Sequence, residues 1–351
     1  MPPPEPNALA DRLTRLIETA GPIPLAQFMA EANAHYYATR DPLGAEGDFI
    51  TAPEISQMFG ELVGLWLADL WSRAGKPSTA HYVELGPGRG TLAEDALRAM
   101  RAARFEPPIH LVETSGTLRK SQAGRLPTAR WHDDIDSLPE TGPLLVVANE
   151  FFDALPIRQI QRTEKGWFEL MIGRKEGSFV PLVSGGPFDE LIPEPLADAP
   201  IGSIVETSPA VESAALALAG RISAQGGAAL VIDYGYQGPA VGDTLQAIAD
   251  HGFADVFADP GECDLTAHVD FSVLARIGRA AGLRVYRPVA QGEWLEALGI
   301  GARTMALTKA APERRDELVA ARKRLTDRSE MGSIFKVMAL VSTDWPDPAA
   351  F

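Results

Sequence analysis

The stretch that decides the fold is Val83-Glu84-Leu85-Gly86-Pro87-Gly88-Arg89-Gly90, which continues a short apolar run that begins at Tyr82. Glycines at alternate positions permit a tight turn and let backbone amides approach a ligand closely. A helical pattern follows from about residue 91 to 103. A strand, a glycine loop and a helix in this order are typical of nucleotide-cofactor sites. We therefore expect a cofactor cradle made of Gly86, Pro87, Gly88, Gly90 and Thr91.

Short apolar runs recur outward from this loop, at 82–85, 109–112, 144–148 and 228–232. Strands of this kind separated by helical patterns predict an α/β fold, with a mostly parallel sheet covered on both faces. Three strand-like pieces between 157 and 183 break the rhythm, and they predict an antiparallel β meander inserted at about 157–205.

Residues 1–75 have helical periodicity, and we expect them to form an N-terminal cap or lid over a main domain of residues 76–351. Thr51 and Glu54 have the spacing of a capping box, which predicts the start of a helix that carries the apolar residues from 59 to 70. We expect Asp48 and Thr51 to contact the cofactor and exclude water. The alternative is that they only join the cap to the sheet.

The loop favours S-adenosylmethionine over a dinucleotide. Its third glycine, Gly90, comes one position early, and Thr91 stands where the dinucleotide pattern has glycine. Glu84 would repel a pyrophosphate, whereas it would attract the ammonium group of an amino-acid moiety. A nicotinamide-dependent oxidoreductase stays open as an alternative.

Two further strand ends complete the predicted cofactor site. Glu113 ends the second strand, at a distance from the loop where a carboxylate accepts hydrogen bonds from both ribose hydroxyls. The third strand region supplies the adenine contact in this interpretation. Asp133 or Asp134 would accept from the adenine amino group, and Ile135 would pack on the ring.

Several longer motifs resemble the MidA family of S-adenosylmethionine-dependent methyltransferases. They lie at 47–56, 84–92, 148–156, 258–271 and 331–337, so the resemblance covers almost the whole chain. It implies a class I, Rossmann-like methyltransferase fold. It also implies a protein arginine methyltransferase whose acceptor is a subunit of NADH:ubiquinone oxidoreductase (complex I) near the quinone site, methylated during assembly.

The motif Asn149-Glu150-Phe151-Phe152-Asp153 ends the fourth strand, at the sheet edge where ligands bind in open α/β folds. Glu150 and Asp153 are the candidates for gripping a guanidinium, with Asn149 orienting it. His268 is a candidate general base. The alternatives are that Asp153 caps a helix, that His268 is structural and that the two phenylalanines are core. Further candidate carboxylates are Glu206, Asp233 and the 262–264 loop.

Composition narrows the possible partners. The net charge of −15 argues against general nucleic-acid binding and suits a cationic partner, although it also simply favours solubility. One cysteine, Cys263, allows no intramolecular disulfide, and the six histidines show no zinc-ligand spacing. The first residues do not resemble a signal peptide, and no apolar run is long enough to span a bilayer.

We accordingly expect a cytoplasmic protein without direct membrane insertion. A homodimer is compatible with the sequence. A methyltransferase with a small-molecule acceptor, or a non-catalytic assembly factor that retains the cofactor fold, stays open beside the arginine methyltransferase.

Overall fold

The computed structural model describes residues 7–39, 50–184, 186–249 and 252–351. The helices are α1 (Ala8–Ala20), α2 (Leu25–Thr39), α3 (Ala52–Ile55), α4 (Gln57–Arg73), α5 (Thr91–Ala102), α6 (Gly116–Arg125), α7 (Pro209–Gln225), α8 (Phe271–Ala280), α9 (Gln291–Ala297), α10 (Ile300–Ala310), α11 (Arg315–Thr326) and α12 (Met331–Ile334).

The strands of the described residues fall into three sheets. They are β1 (Ile23–Pro24), β2 (His81–Leu85), β3 (Ile109–Val112), β4 (Arg130–His132), β5 (Leu144–Asn149), β6 (Arg158–Thr163), β7 (Gly166–Lys175), β8 (Ser178–Ser184), β9 (Ile204–Thr207), β10 (Gly227–Tyr236), β11 (Gln246–Ala249), β12 (Gly252–Ala254), β13 (Asp264–Thr266), β14 (Val269–Asp270), β15 (Arg284–Ala290) and β16 (Phe335–Val341).

The central sheet has the order β15-β16-β10-β5-β2-β3-β4, and β14 pairs with the end of β10. Neighbours from β10 to β4 run parallel, and β16 lies antiparallel to both β10 and β15. The predicted mostly parallel α/β sheet is confirmed. Its consequence for function is that β2, β3, β5 and β10 all end at one edge, which brings together residues distant in sequence.

Both faces of this sheet are buried. On one face, α4 and α5 pack with apolar side chains of α9–α11, including Trp66, Trp294 and Leu325. The other face is covered by α7 and α8, with Leu218 and Leu274 in its core. The nearly continuous apolar character of β5 and β10 follows from this double burial.

The inserted antiparallel meander is confirmed and is part of a larger sheet. Strands β6, β7 and β8 pair in sequence, β9 pairs with β6, and β1 from the N-terminal region pairs with β7. A third core cluster joins Leu13 and Phe28 of the first two helices to Ile172 and Phe179 of the insertion. The division of the chain at residue 75 stays a prediction.

The predicted capping box does not form. Thr51 occupies the N-cap position of α3, but its side chain makes no capping hydrogen bond. The carboxylate of Glu54 instead accepts from the Thr91 hydroxyl at 2.5 Å, so it links α3 to the start of α5. The long apolar helix is the separate α4, which is capped by the Ser56 side chain on the amide of Met58.

Candidate functional site

A cavity of about 1220 Å³ opens at the edge where the parallel strands end. Residues from α2, the glycine loop, the ends of β3, β5 and β10, and strand β13 form its walls. It brings together most of the predicted site residues, which are Thr51, Glu84, Gly86, Pro87, Gly88, Thr91, Glu113, Asn149, Glu150, Asp153 and His268. Asp48 lies outside the described residues.

The glycine loop has a backbone that only glycine adopts without strain. Gly86, Gly88 and Gly90 have φ values of +60°, +52° and +81°. A Cβ at Gly86 would lie 3.1 Å from the ring of Phe151 and would narrow the cavity at this point. Gly90 does not line the cavity. It is the N-cap of α5, and a Cβ there would lie 3.3 Å from Leu126.

Glu84 is buried beneath this loop. The Tyr82 hydroxyl donates to Glu84 Oε2 at 2.5 Å. Burial raises the pKa of Glu84 to about 8, and this hydrogen bond from Tyr82 only partly offsets the rise. A carboxyl group in this state ionises readily when a cation is placed beside it.

Glu113 ends β3 on the adjoining wall. Its carboxylate accepts from the Ser115 amide at 2.8 Å and from Gln122 Nε2 at 3.2 Å. Gln122 Nε2 also donates to the Gly88 carbonyl at 2.7 Å, so one side chain holds the glycine loop and the carboxylate together. Burial raises the pKa of Glu113. Sequence reasoning missed Gln122, whose only signal is a polar residue on the buried face of a helix.

The three predicted adenine contacts do not line the cavity. Asp133 is exposed and forms an ion pair with Arg119 at 2.6 Å. Asp134 is exposed too, and it accepts from the Ser137 amide at 2.8 Å. Ile135 packs into the core beneath the sheet. The strand β4 is only three residues long, and residues 133–135 after it lie outside the cavity walls, so their contact with adenine stays a prediction.

The acceptor side of the cavity is an acidic cluster. Glu150 has a left-handed φ of +51°, and its Oε1 accepts from Asn149 Nδ2 at 3.1 Å. The pKa of Glu150 is raised to about 8, first by burial and then by repulsion from Asp153. Burial raises the pKa of Asp153 to about 6, against a hydrogen bond from Tyr234 that lowers it.

Two further carboxylates adjoin this cluster, Asp233 beneath it and Asp264 on the cavity wall. Asp233, fully buried, accepts from the amides of Phe152 and Asp153 at 3.0 and 3.3 Å, which fixes the turn after β5. Asp264 accepts from the Tyr37 hydroxyl at 2.9 Å. Tyr37 was missed because nothing in the pattern of α2 separates it from an ordinary helix residue.

Two buried oxygen atoms of the cluster have no hydrogen-bond partner among the residues that the structure describes. They are Oδ1 of Asn149, whose residue is 8% exposed, and Oδ1 of Asp153, whose residue is 4% exposed. Buried acceptors without a donor are costly and rare. Since both residues line the cavity, these atoms are suited to a ligand that brings N–H groups.

The structure places the residues on which several alternatives depend. Asp153 caps no helix, because residues 151–157 form turns. Phe151 lines the cavity, whereas Phe152 is core. His268 is exposed on the cavity wall, its ring 5.4 Å from that of Tyr234, and partial burial lowers its pKa.

Glu206 stands apart from the acidic cluster. Its carboxylate accepts from the Thr244 amide and from Gln159 Nε2, at 2.9 and 2.8 Å. It lines a second, smaller cavity of about 310 Å³. It is therefore not a carboxylate of the acceptor cluster.

The described part of the chain shows neither a metal-binding cluster nor a membrane-spanning helix. Residues 7–39, 50–184, 186–249 and 252–351 contain no group of three or more histidine, cysteine, aspartate or glutamate side chains placed to hold a metal ion. In the same part of the chain, every helix is too short or too polar to cross a membrane.

The sheet order, the glycine loop and the strand-end carboxylates define a methyltransferase of the Rossmann-like class. Residues 62–289 match the family described as "Putative S-adenosyl-L-methionine-dependent methyltransferase". The chain belongs to this family, and S-adenosylmethionine is its cofactor. The predicted family resemblance and cofactor are confirmed, and the oxidoreductase alternative is excluded.

The chain is similar to named relatives and to a solved structure over nearly its full length. Protein arginine methyltransferase NDUFAF7 homolog, mitochondrial, of Drosophila melanogaster is 39% identical over 95% of this chain and 85% of its own. The Homo sapiens protein arginine methyltransferase NDUFAF7, mitochondrial, is 35% identical over 93% and 81%. A Burkholderia thailandensis crystal structure bound to S-adenosyl-homocysteine has a TM-score of 0.86 at 28% identity, covering 100% and 97% of the two chains.

These comparisons correct the expected location. Both relatives are named as mitochondrial proteins, so the cytoplasmic location predicted from the sequence is wrong. That prediction came from the lack of a secretory pattern and of an apolar span, and neither feature distinguishes the cytoplasm from other compartments.

The residues present fit the cofactor. The left-handed glycines leave a cradle that a side chain at Gly86 would narrow, and Glu113 presents a carboxylate at the end of the adjoining strand. Glu84, buried below the loop, would hold the ammonium group, and Glu113 would hold the ribose hydroxyls.

Proposed function

We propose that this protein transfers a methyl group from S-adenosylmethionine to the guanidinium of an arginine in a protein acceptor. The observation that carries the proposal is a pair of buried acceptors, Asn149 Oδ1 and Asp153 Oδ1, that lie beside the Glu150 carboxylate and have no donor within the described part of the chain. Relatives over 90% or more of the chain are named protein arginine methyltransferases, which supports the same acceptor.

The chemistry of arginine matches this cluster. A guanidinium has five N–H donors in a planar fork and no acceptor, and it is protonated at any physiological pH. Asn149 and Asp153 would each accept one N–H, and Glu150 would accept another and supply the opposite charge. Orienting one nitrogen in this way contributes much of the rate in an in-line displacement.

Methyl transfer releases a proton, and the proposed site contains a group that can accept it. Bound S-adenosylmethionine supplies an electrophilic methyl group on its sulfonium. The methylated nitrogen must lose a proton, and a carboxylate with a pKa near the operating pH is suited to accept it. Glu150, with its pKa raised to about 8, is our candidate for this base. Asp153 is held by the Asp233 contacts and positions the guanidinium.

We also propose which protein carries the methylated arginine. The family resemblance implies a subunit of NADH:ubiquinone oxidoreductase, and we retain that subunit as the proposed acceptor. His268 remains a second candidate base because its ring lies on the cavity wall.

The test is label transfer from S-adenosylmethionine carrying an isotopic methyl group, added with the purified protein to a lysate that lacks it. We expect the label on an arginine of one protein, located by tandem mass spectrometry. The Asp153→Asn variant should lose about a hundredfold of the rate, because it removes a charged acceptor that orients the guanidinium for transfer. Its affinity for S-adenosyl-homocysteine should stay within about twofold, because Asp153 lies outside the predicted cofactor cradle.

The matched control is Asp316→Asn, which removes an exposed carboxylate on α11. It should leave the rate unchanged. Label on a small metabolite would instead establish a small-molecule methyltransferase. Cofactor binding without transfer to any lysate component would establish a non-catalytic factor, and either result rejects the proposal.

A further inference from the structure

The three-stranded sheet β12-β11-β13 forms a wall of the cavity. Across this sheet the side chains change from a buried carboxylate to an exposed apolar group. In the pairing register, Ile248 of β11 lies opposite Asp264 of β13 on one side and opposite Phe253 of β12 on the other. Residues directly opposed in an antiparallel sheet place their side chains on the same face, about 5 Å apart. Asp264, Ile248 and Phe253 therefore form one row across the sheet.

This row faces the cavity. The next register pair, Ala247 and Leu265, points to the opposite face, where both are buried in the core shared with α1 and α2. All three residues of the row line the cavity. The row runs from a buried carboxylate bonded to Tyr37, through a half-buried Ile248, to Phe253 at 84% exposure.

The outer end of the row is unusual for a protein surface. Phe253 is the most exposed large apolar side chain among the described residues, and Ile334, which also lines the cavity, is 56% exposed. Contiguous exposed apolar surface beside a binding site marks a surface that a partner covers. Here the row leads from the exposed Phe253 through Ile248 to Asp264, which lines the same cavity as the acidic cluster proposed to hold the guanidinium.

We propose that this sheet is the platform for an extended acceptor segment, in which apolar side chains lie within about three residues of the methylated arginine. The inference rests on the proposed arginine methyltransferase function and specifies its substrate class. Strands in a sheet are about 4.8 Å apart, so the strand of Phe253 lies about 10 Å from that of Asp264. That distance is spanned by about three residues of extended chain.

The test uses three synthetic peptides, each with one central arginine, and the full-length protein with S-adenosylmethionine. The first carries leucines at the second and third positions on both sides, the second has serines there, and the third has its leucines six positions away. We expect kcat/KM for the first peptide to exceed that for the other two by tenfold or more, because a leucine that leaves water on binding adds to affinity.

Two variants test whether the preference for the first peptide depends on the platform. Phe253→Ser should abolish the advantage of the first peptide, while leaving the serine peptide and the affinity for S-adenosyl-homocysteine unchanged. Ile201→Ser removes another exposed apolar side chain, at 68% exposure, that does not line the cavity, and it should change nothing.

The outcomes separate the two proposals. Equal rates for the three peptides, or a preference that survives Phe253→Ser, overturn the platform and leave arginine methylation standing. Failure of every peptide also overturns the platform, because the proposal requires an extended segment. The label-transfer assay on folded lysate proteins then decides the proposed function independently.

Discussion

Two carboxyl groups of the cavity, Glu84 and Glu150, share an uncommon electrostatic state. Burial raises the pKa of each to about 8, so each is largely protonated at neutral pH before any ligand binds. Each lies where a cation is proposed to bind, the ammonium of the cofactor beside Glu84 and the guanidinium of the acceptor beside Glu150. Ligand binding therefore couples to proton release at both positions.

The first prediction concerns Glu84. Below pH 8, binding of the ammonium group requires that Glu84 lose its proton, so the affinity for S-adenosyl-homocysteine should rise as the pH increases from 6 to 8. Glu84→Gln should weaken binding at pH 8 by about tenfold to a hundredfold, the cost of a lost charge-assisted hydrogen bond. Isothermal titration calorimetry at several pH values measures both effects. A wild-type affinity that is independent of pH over this range would contradict the assignment.

At this scale the sequence predicted which acids line the cavity, but not which residues hold them in place. Glu84, Glu113, Glu150 and Asp153 follow strands in order, and the common edge of a parallel sheet brings such residues together. Gln122 could not be predicted in the same way, because its bonds to the Gly88 carbonyl and to Glu113 depend on how α6 is oriented.

At the scale of elements, the packing of α4 on α5 sets the base of the cofactor site. Gly64 of α4 approaches α5 so closely that a Cβ there would lie 2.3 Å from the Ala96 carbonyl oxygen and 2.6 Å from its Cα. Both atoms belong to the backbone, so α4 itself would have to move. Since α5 begins directly after the glycine loop, the spacing of these helices influences the cradle.

The second prediction follows from this contact. Gly64→Ala should destabilise the protein by about 1–3 kcal/mol, the usual cost of overpacking, and lower its melting temperature in calorimetry. The control is Gly220→Ala in the exposed middle of α7, where a Cβ meets nothing within 4 Å. It should be neutral or slightly stabilising because alanine favours a helix over glycine. Equal effects of the two substitutions would disprove the close approach.

The third prediction addresses the proposed lid. Thr51 lines the cavity and makes no capping bond, so Thr51→Ala should change the free energy of unfolding by less than about 0.5 kcal/mol. If the N-terminal region closes over the cofactor, the same variant should bind S-adenosyl-homocysteine more weakly. A lower melting temperature with unchanged affinity would favour the alternative that Thr51 only joins this region to the sheet.

Elements with a strong periodic pattern could be predicted, whereas those selected by tertiary pairing could not. The strands of the central sheet and the meander are continuous apolar or alternating runs. The two-residue strand β1 and the short β11–β13 sheet are too brief to show a period, and their partners alone fix them. The capping box failed because Glu54 had a better partner in Thr91.

At the scale of the whole molecule, the cavity lies between the sheet edge and a wall built from α2 and the strand β13. Asn33 of α2 joins these parts, because its side chain accepts from the Leu265 amide at 3.0 Å and donates to the Leu265 and Ala154 carbonyls. The order of the strands in the sequence predicted which edge of the sheet carries the site. The opposite wall could not be predicted, since its contacts join residues more than 200 positions apart.

The fourth prediction is the pH dependence of stability. Glu84 and Glu150 hold their protons up to about pH 8 in the folded protein and lose them near pH 4.5 when unfolded. Above pH 6.5 the folded state therefore binds more protons, and stability should fall as the pH rises to 8. Below pH 6.5, histidines such as His110, whose pKa is about 4, act in the opposite direction.

Thermal unfolding across pH 6.5–8, with and without saturating S-adenosyl-homocysteine, checks this account. The ligand should reduce the fall in melting temperature because its ammonium stabilises the ionised Glu84. The Glu84→Gln variant without ligand should also show a smaller fall than the wild type. A melting temperature that rises with pH over this interval would show that other groups dominate.

The most direct measurement is calorimetric binding of a bisubstrate compound, in which the sulfur position of S-adenosyl-homocysteine is joined by a short linker to a guanidinium. If one cavity holds the cofactor cradle and the acidic cluster side by side, this compound should bind at least tenfold more tightly than S-adenosyl-homocysteine, and Asp153→Asn should remove the gain. Equal affinities of the two compounds for the wild-type protein would contradict the account.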